Sequence, residues 1–222
     1  MHQNKGLIFD MDGTMVDNMM VHHRAWQQKL AELGLDWTLD EVKENCVGTN
    51  DEILQKIFGE KYTFEERDNI SFDKEVIYRK TFFKDLKLLE GLHELLENAY
   101  QHGIPMGLGT AARPENVNFV LDNLHIRHYF KAIITEKDVD KGKPDPSVFL
   151  KVADMLNIEY SQCLVFEDSP TGAKTALNAG MKAIILTTTH QAHEFNAIPS
   201  VIKCVSDYQK INILEELNHL SS

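Results

Sequence analysis

Asp10 and Asp12 stand two residues apart in Asp10-Met11-Asp12-Gly13-Thr14, directly after the apolar run Gly6-Leu7-Ile8-Phe9. Two carboxylates delivered to one loop need a cation or a shared proton. Where a chain is extended, residues two apart point the same way, so both acids can address one centre, and Gly13 relieves the backbone at a sharp turn. An Asp-Gly pair is also a common plain turn. The chemistry of this loop therefore rests on what the rest of the chain brings to it.

Three further apolar runs end in groups of matching chemistry. Ile104-Pro105-Met106-Gly107-Leu108-Gly109 reads as a strand that ends at the hydroxyl of Thr110. Lys131-Ala132-Ile133-Ile134-Thr135 reads as another, and the polar loop behind it holds Lys141-Gly142-Lys143-Pro144-Asp145-Pro146. Gln162-Cys163-Leu164-Val165-Phe166 is a third, ending at Glu167-Asp168-Ser169. Short apolar runs bounded by polar and glycine residues read as buried strands, and ligands of open α/β sheets bind where such strands end.

The elements that must hold these ends follow from the spacing between them. From Leu88 onward helix and strand patterns alternate, which predicts a doubly wound parallel sheet with helices on both faces, an α/β, Rossmann-like core. Pro114, Pro146 and Pro170 stand where helix patterns begin, as first-turn prolines do. That puts Thr110 to Arg113 and Glu167 to Ser169 at helix N-termini, whose free N–H groups suit a phosphate beside Thr110. Asp145 and Ser169 read more readily as N-caps than as catalytic groups. Between Val16 and Leu86 the signals are helical: His22, Trp26, Leu30 and Leu33 recur at helical spacing before a stop at Gly34, and Thr38–Glu41 and Thr63–Glu66 read as capping boxes. The expected organisation is a core of residues 1–15 and 87–222 with a helical cap, 16–86, inserted after the first strand. Two linkers to such a cap allow hinge closure that excludes water. Ser221 and Ser222 read as dispensable.

These motifs in this order (D-x-D-G-T, a strand-end threonine, G-K-P-D-P, E-D-S) resemble the haloacid dehalogenase superfamily over nearly the whole chain. The helical insert between the first two motifs is similar to the branch that holds β-phosphoglucomutases and small-molecule phosphatases. The resemblance implies Asp10 as nucleophile and Asp12 as general acid and base. It also implies Mg²⁺ bound by Asp10, Asp168 and the main-chain carbonyl of Asp12, with Glu167 beside the metal or on its water. Lys143 would offset charge on the nucleophile and the transferring phosphoryl group, and Thr110 would donate to the same oxygens. Lys143 is preferred to Lys141 because Gly142 and Pro144 fix its backbone and match the family pattern. Superfamily members that act on haloacids lack the acid found here as Asp12, so the resemblance is to the phosphoryl-transferring members.

A mutase must also hold a second phosphate away from the nucleophile. Thr110-Ala111-Ala112-Arg113-Pro114 leaves only Arg113 for that task, and Cys46 to Glu52, which is slightly shorter than its mutase counterpart, has no arginine. In the other direction, His22-His23-Arg24-Ala25-Trp26 is similar to the cap segment of β-phosphoglucomutases, where the histidine matching His22 contacts the acid/base region. By spacing alone, His22 and Trp26 are core-facing helix residues.

Composition narrows the partners. The 222 residues are 43% apolar and 26% charged, which suits a core domain plus an insert. A formal net charge of −11 disfavours nucleic acid and anionic membranes. Cys46, Cys163 and Cys204 lack metal or redox spacing and suit a reducing compartment. The short first apolar run does not resemble a signal peptide, so a cytoplasmic monomer is expected. The sequence therefore predicts a Mg²⁺-dependent phosphohydrolase of a small phosphorylated metabolite, a sugar phosphate before others. A β-phosphoglucomutase-like phosphotransferase is the alternative, and a non-catalytic phosphometabolite-binding protein is a third reading.

Overall fold

Gly6–Phe9 is apolar throughout because it is buried at every position, as strands covered on both faces must be. It forms β1 of a parallel sheet in the computed structural model, which describes residues 4–218 and 220. Ser221 and Ser222 lie outside the described residues. The other strands are β2 (Met106–Gly109), β3 (Phe130–Ile134), β4 (Cys163–Glu167), β5 (Lys182–Leu186) and β6 (Val201–Val205). Their order is β3-β2-β1-β4-β5-β6, every neighbouring pair parallel. The order runs outward in both directions from β1 and β4, so the chain's switch of direction falls between these two strands.

The chain divides into two units, Met1–Asp17 with Lys87–Ser222, and Asn18–Leu86. Val16 and Asp17 stay with the sheet unit, because Val16 accepts a hydrogen bond from Gly13 N and donates its own N–H to Met11 O. Helices α1 (Met19–Glu32), α2 (Leu39–Asn45), α3 (Asn50–Phe58) and α4 (Phe64–Phe82) make up the second unit. Trp26, Leu30, Val42, Cys46, Ile53 and Leu54 form its apolar centre. Both expected capping boxes are present, and so is a third, Thr49–Glu52, at the start of α3.

The sheet unit adds α5 (Leu92–Gln101), α6 (Pro114–Asn123), α7 (Ser147–Leu156), α8 (Pro170–Asn178) and α9 (Ile213–Asn218). One core cluster joins Ile8, Val165, Ala183 and Ile185 of the strands to Val148, Phe149 and Val152 of α7 and Ala173 and Ala176 of α8. Strand alternation turns Phe9 and Phe166 to the opposite face, where their rings stack 4.8 Å apart.

Several local expectations shift by a residue or two, and β3 lies one residue earlier than the run Lys131–Thr135. β2 begins at Met106, because Pro105 has no N–H to give the ladder; its carbonyl accepts from Leu7 N instead. β4 runs one residue further, to Glu167, which pairs with Ile185. Pro146 is the N-cap of α7 and not its first residue, and the Asp145 carboxylate caps this turn by accepting from Ser147 N at 3.0 Å.

Candidate active site

Register builds the site. Phe9 is paired with Phe166, so the chain leaves β1 at Asp10 at the level where β4 reaches Glu167. Asp10 N donates to Phe166 O at 3.0 Å, which fixes the start of the loop. As a result Asp10, Glu167 and Asp168 each place a carboxylate oxygen within 4.8 Å of the others. They are 6%, 1% and 6% exposed, so water offsets little of their mutual repulsion.

One ammonium meets two of these three acids. Lys143 Nζ donates to Asp10 Oδ1 at 2.7 Å and to Glu167 Oε1 at 2.5 Å, and it stands 4.7 Å from the centre of the Phe149 ring. Lys141 is exposed. The second Glu167 oxygen accepts from the N–H groups of Asp168 (2.8 Å) and Ser169 (2.9 Å) and from the Ser169 hydroxyl. Ser169 Oγ in turn accepts from Gly172 N and caps α8. Both Glu167 oxygens are thus committed to holding Lys143 and the Asp168 loop. A Cβ on Gly172 would lie 1.8 Å from that carboxyl group, so the close approach requires glycine.

Charge is out of balance here, and it shifts the proton affinities of the acids. Burial, opposed by Lys143 and reinforced by Glu167 and Asp12, raises Asp10 from 3.8 to about 7. Burial and the charges of Glu167 and Asp10 push Asp168 well above the usual carboxylate range. Burial would raise Glu167 too, but Lys143 and the two backbone N–H groups outweigh it and lower its value. Lys143 would be lowered by burial, yet Asp10 and Glu167 together raise it. Buried oxygens in excess of one ammonium are the donor set of a hard divalent cation.

The loop between the two aspartates is a tight turn. Met11 O accepts from the N–H groups of Thr14, Met15 and Val16, and Gly13 has φ +74°. A Cβ on Gly13 would sit 2.1 Å from Asp168 Oδ2, so glycine is required here for both its backbone and its missing side chain. The carboxylate group of three does not include the Asp12 side chain, which is half-buried beside it in the sequence. Two residues that sequence reading missed hold this region from the loop after β5. Thr188 Oγ1 donates to Gly13 O at 2.5 Å, and Thr189 Oγ1 lies 2.5 Å from Asp168 Oδ2. Threonines after a strand carry no motif, so only the fold exposes them.

Thr110 ends β2 on the same edge of the sheet, is 1% exposed and accepts from Ala112 N at 3.2 Å. Its hydroxyl keeps one proton to donate. Arg113 caps α6, is 5% exposed, and has Nε 3.7 Å from carboxylate oxygens of both Glu115 and Glu136. Its charge already faces two acids.

His22 and Trp26 belong to the second unit, where α1 meets α4. Lys74 Nζ is 2.9 Å from His22 Nδ1, 2.8 Å from Glu75 Oε1 and 5.2 Å from the centre of the Trp26 ring. His22 stacks on Tyr78 at 3.9 Å, and Asn50 Nδ2 donates to Glu75 Oε1. Lys74 and Glu75 are 2% and 3% exposed, although adjacent Lys and Glu on a helix read as a solvated pair.

A family model of haloacid dehalogenase-like hydrolases matches residues 4–180. The chain is 31% identical over 184 residues to a fructose-1-phosphate phosphatase of Escherichia coli, covering 81% of this chain and 94% of that protein. It is 32% identical over 188 residues to a β-phosphoglucomutase of Bacillus subtilis, covering 81% and 82%. A solved hydrolase of the same family from Entamoeba histolytica superposes with a TM-score of 0.90 at 27% identity, over 98% of this chain and all of the other.

Proposed function

This chain belongs to the haloacid dehalogenase-like hydrolases, and from that premise we propose a Mg²⁺-dependent phosphohydrolase of small sugar phosphates that works through a phosphorylated Asp10. The observation that carries the reading is Lys143 bridging Asp10 and Glu167 inside a buried group of three carboxylates. A lysine so placed holds one oxygen of Asp10, leaves the other for attack, and lays positive charge where phosphoryl oxygens arrive.

Asp10 attacks phosphorus as a carboxylate, forming an acyl phosphate and splitting a hard displacement into two easier ones. Asp12 donates a proton to the leaving oxygen and later takes one from the water that attacks the phosphorylated Asp10. Thr110 donates its hydroxyl proton to the transferring oxygens beside Lys143. Glu167 keeps Lys143 and Asp168 in position. Asp10, Asp168 and the main-chain carbonyl of Asp12 would hold Mg²⁺, which would supply the positive charge a phosphate dianion needs beside these acids.

Hydrolysis is favoured over transfer between two positions of one sugar because Arg113, the distal-phosphate candidate, is buried against Glu115 and Glu136. The β-phosphoglucomutase relative makes the alternative worth a direct test. The enzyme is incubated with Mg²⁺ and a panel of sugar and nucleotide monophosphates that includes β-glucose 1-phosphate, following phosphate and glucose 6-phosphate together. Free phosphate from a narrow group of sugars is expected. Glucose 6-phosphate without free phosphate would replace the phosphatase by the mutase, and no turnover of any substrate would leave the binding-protein reading.

A further inference from the structure

Three consecutive carbonyls follow the Asp10–Asp12 segment, and each is held by a different part of the chain. Gly13 O accepts from Thr188 Oγ1, Thr14 O from the hydroxyl of Tyr208 at 3.0 Å, and Met15 O from Leu89 N at 2.9 Å. Tyr208 is buried, with its ring 5.4 Å from that of Phe166 under the acid cluster. Its own N–H donates to Glu90 O at 2.9 Å. One residue thus ties the turn behind the two aspartates to the segment where the chain re-enters the sheet unit after Leu86.

We propose that Tyr208 is a positioning residue for the Asp10–Asp12 loop: its phenol fixes Thr14 O, and its backbone fixes the Leu89–Glu90 strand of chain that pins Met15. Thr188 and Leu89 hold the carbonyls on either side, so Tyr208 supplies the middle of three outside supports to the turn. Its internal bonds all converge on Met11 O and Val16 O, so they define its shape but not its height above the sheet. That height sets where Asp12 stands relative to Asp10, and proton transfer to a leaving group is sensitive to such placement. Burial, reinforced by the carboxylates of Asp10, Asp168 and Glu167, holds the phenol well above its ordinary value, so it stays a donor at neutral pH. Removing the hydroxyl leaves Thr14 O without this donor in a buried position.

The inference rests on the phosphatase reading for its kinetic consequence but not for its structural one, and two measurements on the full chain keep these apart. In Tyr208→Phe, kcat is expected to fall between about tenfold and a hundredfold with KM within about twofold, since placement and not substrate contact is lost. Phe195→Leu, in the core cluster beneath α8, is the control for a general loss of stability and keeps kcat. Independently of any substrate, amide hydrogen exchange at Thr14 to Val16 should speed by at least about tenfold in Tyr208→Phe, while β4 and β5 stay protected. Unchanged exchange at these amides overturns the proposal. Faster exchange with unchanged kcat also overturns it, because the loop would then move without consequence. If the unaltered enzyme turns over nothing, the phosphatase reading fails and the exchange result alone decides on Tyr208.

Discussion

Two buried ionic clusters occupy the two units of this chain, and they are built to opposite rules. In the second unit Lys74 meets Glu75 at 2.8 Å, beside His22 Nδ1 and Asn50, so one positive charge faces one negative charge. In the sheet unit Lys143 is paired with Asp10 and Glu167, two of three carboxylates gathered together, so among these described groups negative charge exceeds positive. The first cluster balances itself. The second raises Asp10 to about 7 and leaves negative charge that only a proton or a cation can answer. The comparison teaches that burial of charge is not by itself a mark of chemistry, whereas buried charge left uncompensated is.

The largest effect expected from this contrast is that of Asp10→Asn. Loss of the proposed nucleophile should lower turnover by at least about 10⁴-fold. The same change removes a buried charge from the crowded cluster, so the metal-free protein should melt at a higher temperature than the unaltered one. Function lost while stability rises is the signature of an uncompensated site. Turnover within tenfold of normal, measured as phosphate release with Mg²⁺, would remove Asp10 as nucleophile.

How far the sequence showed this contrast depends on which cluster is considered. Asp10, Glu167 and Asp168 were legible because each follows a short apolar run, and a parallel sheet brings such strand ends to one edge, whereas Lys143, in the polar loop after β3, was picked out by the family pattern around Gly142 and Pro144. Their pairing was not legible at the level of atoms: that Glu167 spends both oxygens on Lys143 and on backbone N–H groups follows from β4 running one residue further than its apolar run. Thr188, Thr189 and Tyr208 could not be found, since hydroxyls that reach the turn from the segments after β5 and β6 share no spacing with it. In the second unit His22 and Trp26 were read from helical periodicity and from the resemblance of their segment to the cap of β-phosphoglucomutases. Lys74 and Glu75 were invisible, because period shows which face a residue takes but not that a lysine is 2% exposed.

The self-balanced cluster should respond in the opposite way to substitution. Lys74→Met keeps the length of the side chain and removes its charge, leaving Glu75 buried without the ammonium. Breaking a buried pair from one side costs about 3–5 kcal/mol, read as a shift in urea-induced unfolding. Lys74→Met with Glu75→Gln should recover part of that loss, because no bare carboxylate remains. If Lys74→Met unfolds no earlier than the unaltered chain, the two clusters do not differ in the way the distances imply.

The smallest and sharpest effect concerns the proton and the metal as rivals for the sheet unit's acids. In the unfolded chain Asp10 releases its proton near 3.8, whereas in the folded chain it keeps it up to about 7. Between those values the folded state binds more protons than the unfolded one, so the metal-free protein loses stability as pH rises through that window, and Asp168 adds to the trend in the same direction. A divalent cation restores what the departing protons took away. At about ten times its dissociation constant Mg²⁺ should add about 1.4 kcal/mol, and because protons occupy the same oxygens below pH 6 the gain in melting temperature should be larger at pH 8 than at pH 5.5. In Asp10→Asn that difference should shrink, since one of the competing carboxyl groups is gone. An equal gain at both pH values would mean that the cation binds oxygens other than the raised acids, and the charge imbalance would then be no reason to place a metal at this edge of the sheet.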